Sequence, residues 1–146
     1  MEYSIYEVMA DAERRLRTAK EEKDYREAYD LFMSVAENEA INPYVRADAY
    51  RSAGIIHLMG YRYCASGEAF ELFSKAFDLA PDRLDITNNL LVSYSDLLDE
   101  KWQIDIFRRA YQSMLKRESE LPEGMKKNIR SIWKQYHDML EGVDRE

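Results

Sequence analysis

Apolar residues recur at intervals of three and four along most of the chain, which is the period of an amphipathic α-helix. No stretch shows the strict apolar–polar alternation of a half-buried strand. We therefore predict an all-α protein. The predicted helices span about 4–22, 25–39, 43–59, 67–79, 83–98, 101–118 and 123–141.

The helix boundaries are marked by a few polar, glycine and proline residues. Asn42-Pro43 predicts a helix start, because asparagine can cap the first turn and proline at the first helical position has no amide hydrogen to leave unpaired. Lys23-Asp24 is interpreted as a short polar turn. Gly54 falls inside a predicted helix, where glycine costs about 1 kcal/mol relative to alanine. We expect it to permit the close approach of a neighbouring helix.

Part of the sequence repeats. Residues 27–32 (EAYDLF) return as residues 68–73 (EAFELF), 41 positions later. A weaker echo pairs Phe73 and Ala76 with Phe107 and Ala110. Self-similarity at a period of 20–50 residues is typical of stacked repeat proteins, which usually bind other proteins.

The repeated positions resemble the tetratricopeptide repeat, a helix–turn–helix unit of 34 residues. The match is best in the middle unit, and the other two units depart from the pattern at Arg15 and Gln103. The matching residues of the middle unit are Tyr50, Ala53, Gly54, His57, Ala69, Phe73, Ala76 and Pro81.

The resemblance implies an α-solenoid of three hairpins, at about 9–42, 43–82 and 83–117, closed by a capping helix at about 123–141. The whole chain, 1–146, would then be a single domain. The longer step of 41 residues implies two short insertions, one before Pro43 and one in the turn at 60–67. A related α-solenoid repeat of similar length fits the same spacing.

Composition narrows the possible partners. The chain has 146 residues, 34% of them charged, and a net charge of −7. An acidic balance disfavours general nucleic-acid binding, which needs a basic surface. No apolar stretch is long enough to span a membrane, and the first 15 residues do not resemble a secretory signal. The lone Cys64 excludes an intrachain disulfide and is compatible with the cytoplasm, the location we predict.

In the resembled family, ligands usually lie in a concave groove lined by the first helix of each hairpin. The corresponding positions carry both signs of charge around an apolar centre. Such a groove predicts a protein or peptide partner, although an inner face that only contacts solvent, or one filled by the seventh helix, remains the alternative. The candidate partner-binding residues are Glu13, Arg17, Arg51, Ile55, Met59, Asp85, Asn88, Val92 and Asp96.

The predicted function is a non-enzymatic adaptor or a small partner-specific chaperone. One subset of the family grips a C-terminal carboxylate, but its clamp residues are absent here. The alternative function is self-assembly into homo-oligomers through the terminal helices. An apolar strip on the last helix would then meet a second copy, through Trp133, Tyr136 and Leu140.

Catalytic chemistry has little support in the sequence. His57 falls on a predicted core face, and the two histidines and one cysteine lie too far apart to form a metal-ligand motif. No glycine-rich phosphate loop is present. We therefore predict no enzyme activity, no metal and no cofactor.

Two further features allow two interpretations each. The turn Tyr61–Cys64 contains residues that are common at interfaces, but we favour the interpretation that the third helix continues for another turn and the tyrosines pack on the fourth. Lys126, Arg130 and Lys134 are spaced four residues apart and form a basic stripe on the last helix. That stripe could meet an acidic partner or nucleic acid, or it could be a solvated face balanced by nearby acidic residues.

Overall fold

The computed structural model describes residues 4–59, 69–93 and 100–140, and these residues form helices joined by turns, with no strand among them. The all-α class is therefore confirmed for this part of the chain. The elements are α1 (Ile5–Arg17), α2 (Glu22–Ala36), α3 (Pro43–Leu58), α4 (Ala69–Leu79), α5 (Leu84–Val92), α6 (Lys101–Lys116), a short 3₁₀ helix (Glu118–Glu120) and α7 (Glu123–Leu140).

The chain divides into two compact units, Met1–Ala80 and Pro81–Glu146. The predicted single domain, and its arrangement as a solenoid of three hairpins with a cap, stay predictions. Tyr61–Cys64 and Asp96 lie outside the described residues.

In the first unit, α2 packs against both α1 and α3, and α3 packs against α4. The core is built from the apolar faces that the helical periodicity predicts. Three large side chains at its centre, Phe32, Ile56 and Phe73, are fully buried. The predicted start of α3 is confirmed, since the Asn42 side chain accepts a hydrogen bond of 2.8 Å from the backbone amide of Tyr44.

Gly54 lies where α3 and α4 approach each other. A Cβ atom at this position would lie 2.7 Å from Cε1 of Phe73, which is closer than two carbon atoms can pack. The expectation that Gly54 permits close helix packing is therefore confirmed. The helix propensity lost at this glycine is offset by the fit of a fully buried aromatic ring.

The predicted break between the first two helices is wrong by several residues. α1 ends at Arg17, and Lys23 and Asp24 belong to the first turn of α2. The Asp24 carboxylate accepts hydrogen bonds from the backbone amides of Lys20 (3.0 Å) and Glu21 (3.1 Å). Asp24 is therefore not part of a turn but the third residue of α2, and its side chain forms a capping box with the N-cap residue Glu21.

Arg15, which departs from the repeat pattern, joins α1 to α2. Its guanidinium lies 3.3 Å from the Asp11 carboxylate and 3.0 Å from the Glu27 carboxylate. Partial burial would raise the pKa of Asp11, but hydrogen bonds from Arg15 and Arg14 outweigh it and leave the pKa below its usual value. An ion-pair network therefore connects the two helices at this position.

In the second unit, α6 packs against α5 and α7, and α5 also contacts α7. The ring of Tyr111 stacks on Trp133 with centroids 6.3 Å apart, and Phe107 meets Tyr136 edge-on at 5.9 Å. Leu140 is fully buried. The apolar strip of α7 that self-assembly would use (Trp133, Tyr136 and Leu140) therefore already makes contacts inside the second unit.

Another helix end in this unit differs from the prediction. α5 is described as far as Val92, with Ser93 in a turn, and the predicted continuation to about residue 98 lies outside the described residues. α6 ends at Lys116 rather than Glu118, and the 3₁₀ helix follows. Polar residues at helix ends carry little periodic signal, so boundaries are the least predictable part of an element.

Candidate functional site

α3, like α2, is packed on two sides, and its neighbours are α2 and α4. Its buried residues occur in pairs, such as Ala53–Gly54 and Ile56–His57, and these face α2 and α4. Only a narrow strip is left for solvent. Partly or fully exposed residues follow one another along it at intervals of three or four: Tyr44, Asp48, Arg51, Ile55 and Leu58. Met59 comes directly after the last of them.

The C-terminal end of this strip is apolar. Leu58 is 53% exposed and Met59 is 49% exposed, while Ile55, one turn earlier, is half-buried. Six large apolar side chains are strongly exposed in the described part of the chain, and three of them (Tyr44, Leu58 and Met59) lie on or next to α3. Adjacent exposed apolar residues are more informative than scattered ones, because a contiguous patch often marks an interaction site.

α1 contributes charge to the first unit. Glu13 and Arg17, two of the predicted groove residues, are both exposed. Arg17 is one of the residues that line an open cleft along α1, together with Glu7, Asp11 and Arg14. Arg14 is paired with Asp11, whereas Arg17 makes no ion pair among the described residues. Its guanidinium is therefore available to an acidic group of a partner.

On α5, two of the predicted groove residues are engaged within the second unit. Asp85 pairs with Arg83 through contacts of 2.7 and 3.0 Å. The side-chain oxygen of Asn88 accepts a hydrogen bond of 3.1 Å from the Asn128 amide on α7. Val92 is 47% exposed. Of the described α5 candidates, Val92 is thus the most accessible.

The sequence alone could not reveal the contact between Asn88 and Asn128. These residues are 40 positions apart, and both are polar residues on predicted amphipathic helices. Asn128 lies one residue before the buried Ile129, at the edge of the apolar face of α7. That position at a face boundary is the only local signal that Asn128 could reach a neighbouring helix.

Of the two histidines, one lies in the core of the first unit. His57 is only 3% exposed, and its ring lies 5.8 Å from that of Tyr29, as expected for a core histidine. Across residues 4–59, 69–93 and 100–140, no group of three acidic, histidine or cysteine side chains could hold a metal ion. The described helices also include none that is long and apolar enough to cross a membrane.

No protein-family model, curated protein or solved structure matches the chain. The resemblance to the tetratricopeptide repeat therefore rests on the residues and spacings in the sequence.

Proposed function

We propose that the protein is a non-enzymatic interaction module, an adaptor or a small partner-specific chaperone, that binds a segment of another protein along the exposed strip of α3. The observation that supports this most is the apolar end of the strip, where Leu58 and Met59 are each about half exposed. The partner would cover them with apolar side chains of its own.

The size of this apolar patch limits how much affinity it can supply. Complete burial of a leucine or methionine is worth about 1.5–3 kcal/mol, so covering the exposed halves of Leu58 and Met59 together contributes about the same amount. A dissociation constant of 1 mM already corresponds to about 4 kcal/mol. The partner must therefore also contact neighbouring residues, and Ile55, Arg51 and Arg17 are the candidates.

A cytoplasmic location fits this proposal, but it is itself inferred from composition. Self-assembly through α7 has less support, since Trp133, Tyr136 and Leu140 contact or lie within the core of the second unit. The proposed site is on the first unit, on a helix whose other two sides are already buried. A partner can reach it without unpacking either unit.

Site-specific photo-crosslinking in the native host tests this proposal. A benzoylphenylalanine is introduced at Met59, and a matched control places it at Ser34, an exposed residue on α2. We expect one protein to be crosslinked in high yield from position 59 and not from position 34. The yield should fall when Leu58→Glu is added, because a carboxylate would then enter the apolar contact.

Equal crosslinking from both positions would contradict the proposal, as would a yield from position 59 that Leu58→Glu leaves unchanged. Leu58 is 53% exposed, so this substitution should not disturb the core. Circular dichroism of the purified variant checks that it remains folded.

A further inference from the structure

The solvent-facing side of α7 carries three cations. Lys127, Arg130 and Lys134 are all exposed and lie within about 60° of one another around the helix axis. Lys126, which the sequence placed on this stripe, is half-buried, with 29% of its side chain exposed. The cationic face is therefore formed by Lys127, Arg130 and Lys134, which span about 10 Å along the helix.

The two acidic residues best spaced to neutralise the lysines do not pair with them. Glu123 lies four residues before Lys127, the favourable order for a helical ion pair. Its carboxylate instead lies 3.8 Å from Lys126 and 3.9 Å from Arg130. Among the described residues, Lys127 therefore makes no ion pair.

At the other end, Asp138 lies four residues after Lys134, but the helix is distorted between them. Tyr136 has φ −123° and ψ 22°, which are not helical values. The Asp138 carboxylate lies 3.1 Å from Nε2 of His137. Lys134, like Lys127, thus has no acidic partner in the described part of the chain.

The chain as a whole is acidic, but the region that contains this face is basic. The chain has 28 acidic and 21 basic residues, yet residues 101–134 carry nine lysines and arginines and only four acidic residues. The contacts of Glu123 with Arg130 and Lys126 are long and exposed, so they contribute little. Three cations against the single Glu123 carboxylate leave this face with an excess of positive charge within an acidic protein.

We propose that the cationic face of α7 binds an acidic helical segment of another protein, with carboxylates at intervals of three and four residues. Charge complementarity defines this occupant, since glutamates one and two turns apart on a helix would meet Lys127, Arg130 and Lys134 in register.

A protein segment fits this face better than single-stranded nucleic acid does. Such nucleic acids are usually held by aromatic side chains stacked on their bases. The aromatic residues of α7 point the other way, because Trp133 and Tyr136 contact Tyr111 and Phe107. Ser131, the other exposed residue between Lys127 and Lys134, is small and polar.

The test uses the full chain and a fluorescent helical peptide of about 20 residues with glutamates repeated at i, i+3 and i+7. A second peptide carries glutamine at those positions. We expect measurable binding of the glutamate peptide in fluorescence anisotropy at low salt, weakening as salt is raised, and no binding of the glutamine peptide.

Two variants with the same change in net charge locate the contact. Lys127→Glu with Lys134→Glu should weaken binding of the glutamate peptide by about tenfold or more. Lys20→Glu with Lys23→Glu, which alters exposed lysines of the first unit, should leave binding within about twofold. Equal losses in the two variants would overturn the proposal, and so would no loss in either.

A single-stranded oligonucleotide of matched charge is the competing probe. If it binds as tightly as the glutamate peptide and is lost in the same Lys127/Lys134 variant, the face recognises nucleic acid and the proposal is wrong. Thermal melts of both variants confirm that the comparison is between folded proteins. This surface lies on the second unit, so its test is independent of the proposed function of α3.

Discussion

The two units are both built from packed helices, but they present different surfaces to solvent. In the first unit, α3 is buried on two sides and its remaining strip ends in the exposed apolar pair Leu58 and Met59. In the second unit, α7 buries one apolar stripe and exposes a cationic face. A helix packed on two sides has few exposed positions, so apolar residues left among them are more informative than charges on an open face.

One glycine in each unit shows how differently α3 and α7 are packed. A Cβ atom on Gly54 of α3 would meet the ring of Phe73 at 2.7 Å, whereas a Cβ atom on Gly124 of α7 would meet nothing within 4 Å. One glycine is needed for packing, and the other lies on the exposed first turn of a helix.

The largest expected effect is on stability: replacing glycine with alanine should change the free energy of unfolding in opposite directions at positions 54 and 124. Gly54→Ala should destabilise the protein by about 1–3 kcal/mol, because Phe73 is fully buried and cannot move aside without disturbing the core. Gly124→Ala should stabilise it by up to about 1 kcal/mol through helix propensity. Urea denaturation followed by circular dichroism measures both.

If Gly54→Ala were neutral or stabilising, α3 and α4 would be less tightly packed than the structure shows. A double variant that also replaces Phe73 with leucine serves as a control. A smaller side chain at position 73 should relieve part of the clash, so the two substitutions should cost less together than the sum of their separate effects.

Much of the fold could be predicted from the sequence because it depends on local periodicity. The spacing of apolar residues identified the helices, and a glycine on a buried face correctly indicated a close helix contact. Asp24 was misinterpreted, because a polar residue can end one helix or cap the next, and the two uses look alike in a sequence.

The contacts at the candidate surfaces are less predictable, because each charged or polar side chain has several possible partners within reach. Spacing favours pairing of Glu123 with Lys127, and yet the Glu123 carboxylate turns to Lys126 and Arg130. Asn88 resembled a groove residue, but it contacts Asn128 on a helix distant in sequence. These pairings depend on tertiary packing, and the spacing of residues in the sequence does not determine them.

The next effect in size concerns the contact between α5 and α7. Asn88→Ala and Asn128→Ala each remove the amide hydrogen bond of 3.1 Å and should each destabilise the protein by about 1 kcal/mol. Because the two residues share one interaction, the double variant should lose little more than either single variant. A double-mutant cycle by urea denaturation measures this coupling.

Strict additivity of the two substitutions would show that the amide pair contributes no coupling energy. In that case the side chain of Asn88 could bind a partner at the surface of α5, as the sequence predicts. Asn89, next to Asn88 on the same helix, is a less suitable control because it makes contacts of its own.

The smallest expected effect compares two helix starts. At the start of α2, the Asp24 carboxylate accepts hydrogen bonds from the amides of Lys20 and Glu21. At the start of α6, the neutral Gln103 side chain accepts one of 3.2 Å from the amide of Glu100. The two caps have similar geometry, but only one of them can titrate.

Hydrogen bonds from the backbone amides of Lys20 and Glu21 lower the pKa of Asp24 from its usual 3.8. A carboxylate whose pKa is lowered by folding stabilises the protein above its unfolded pKa, and this stabilisation is lost as the pH falls through the lower folded value. The difference in Tm between wild type and Asp24→Ala should thus be largest at neutral pH and shrink below about pH 3.8. For Gln103→Ala, the difference from wild type should not vary with pH in this range, because the amide does not ionise. If both differences shrank in parallel, acid would be weakening the helices generally, and the charge of Asp24 would not distinguish the start of α2 from that of α6.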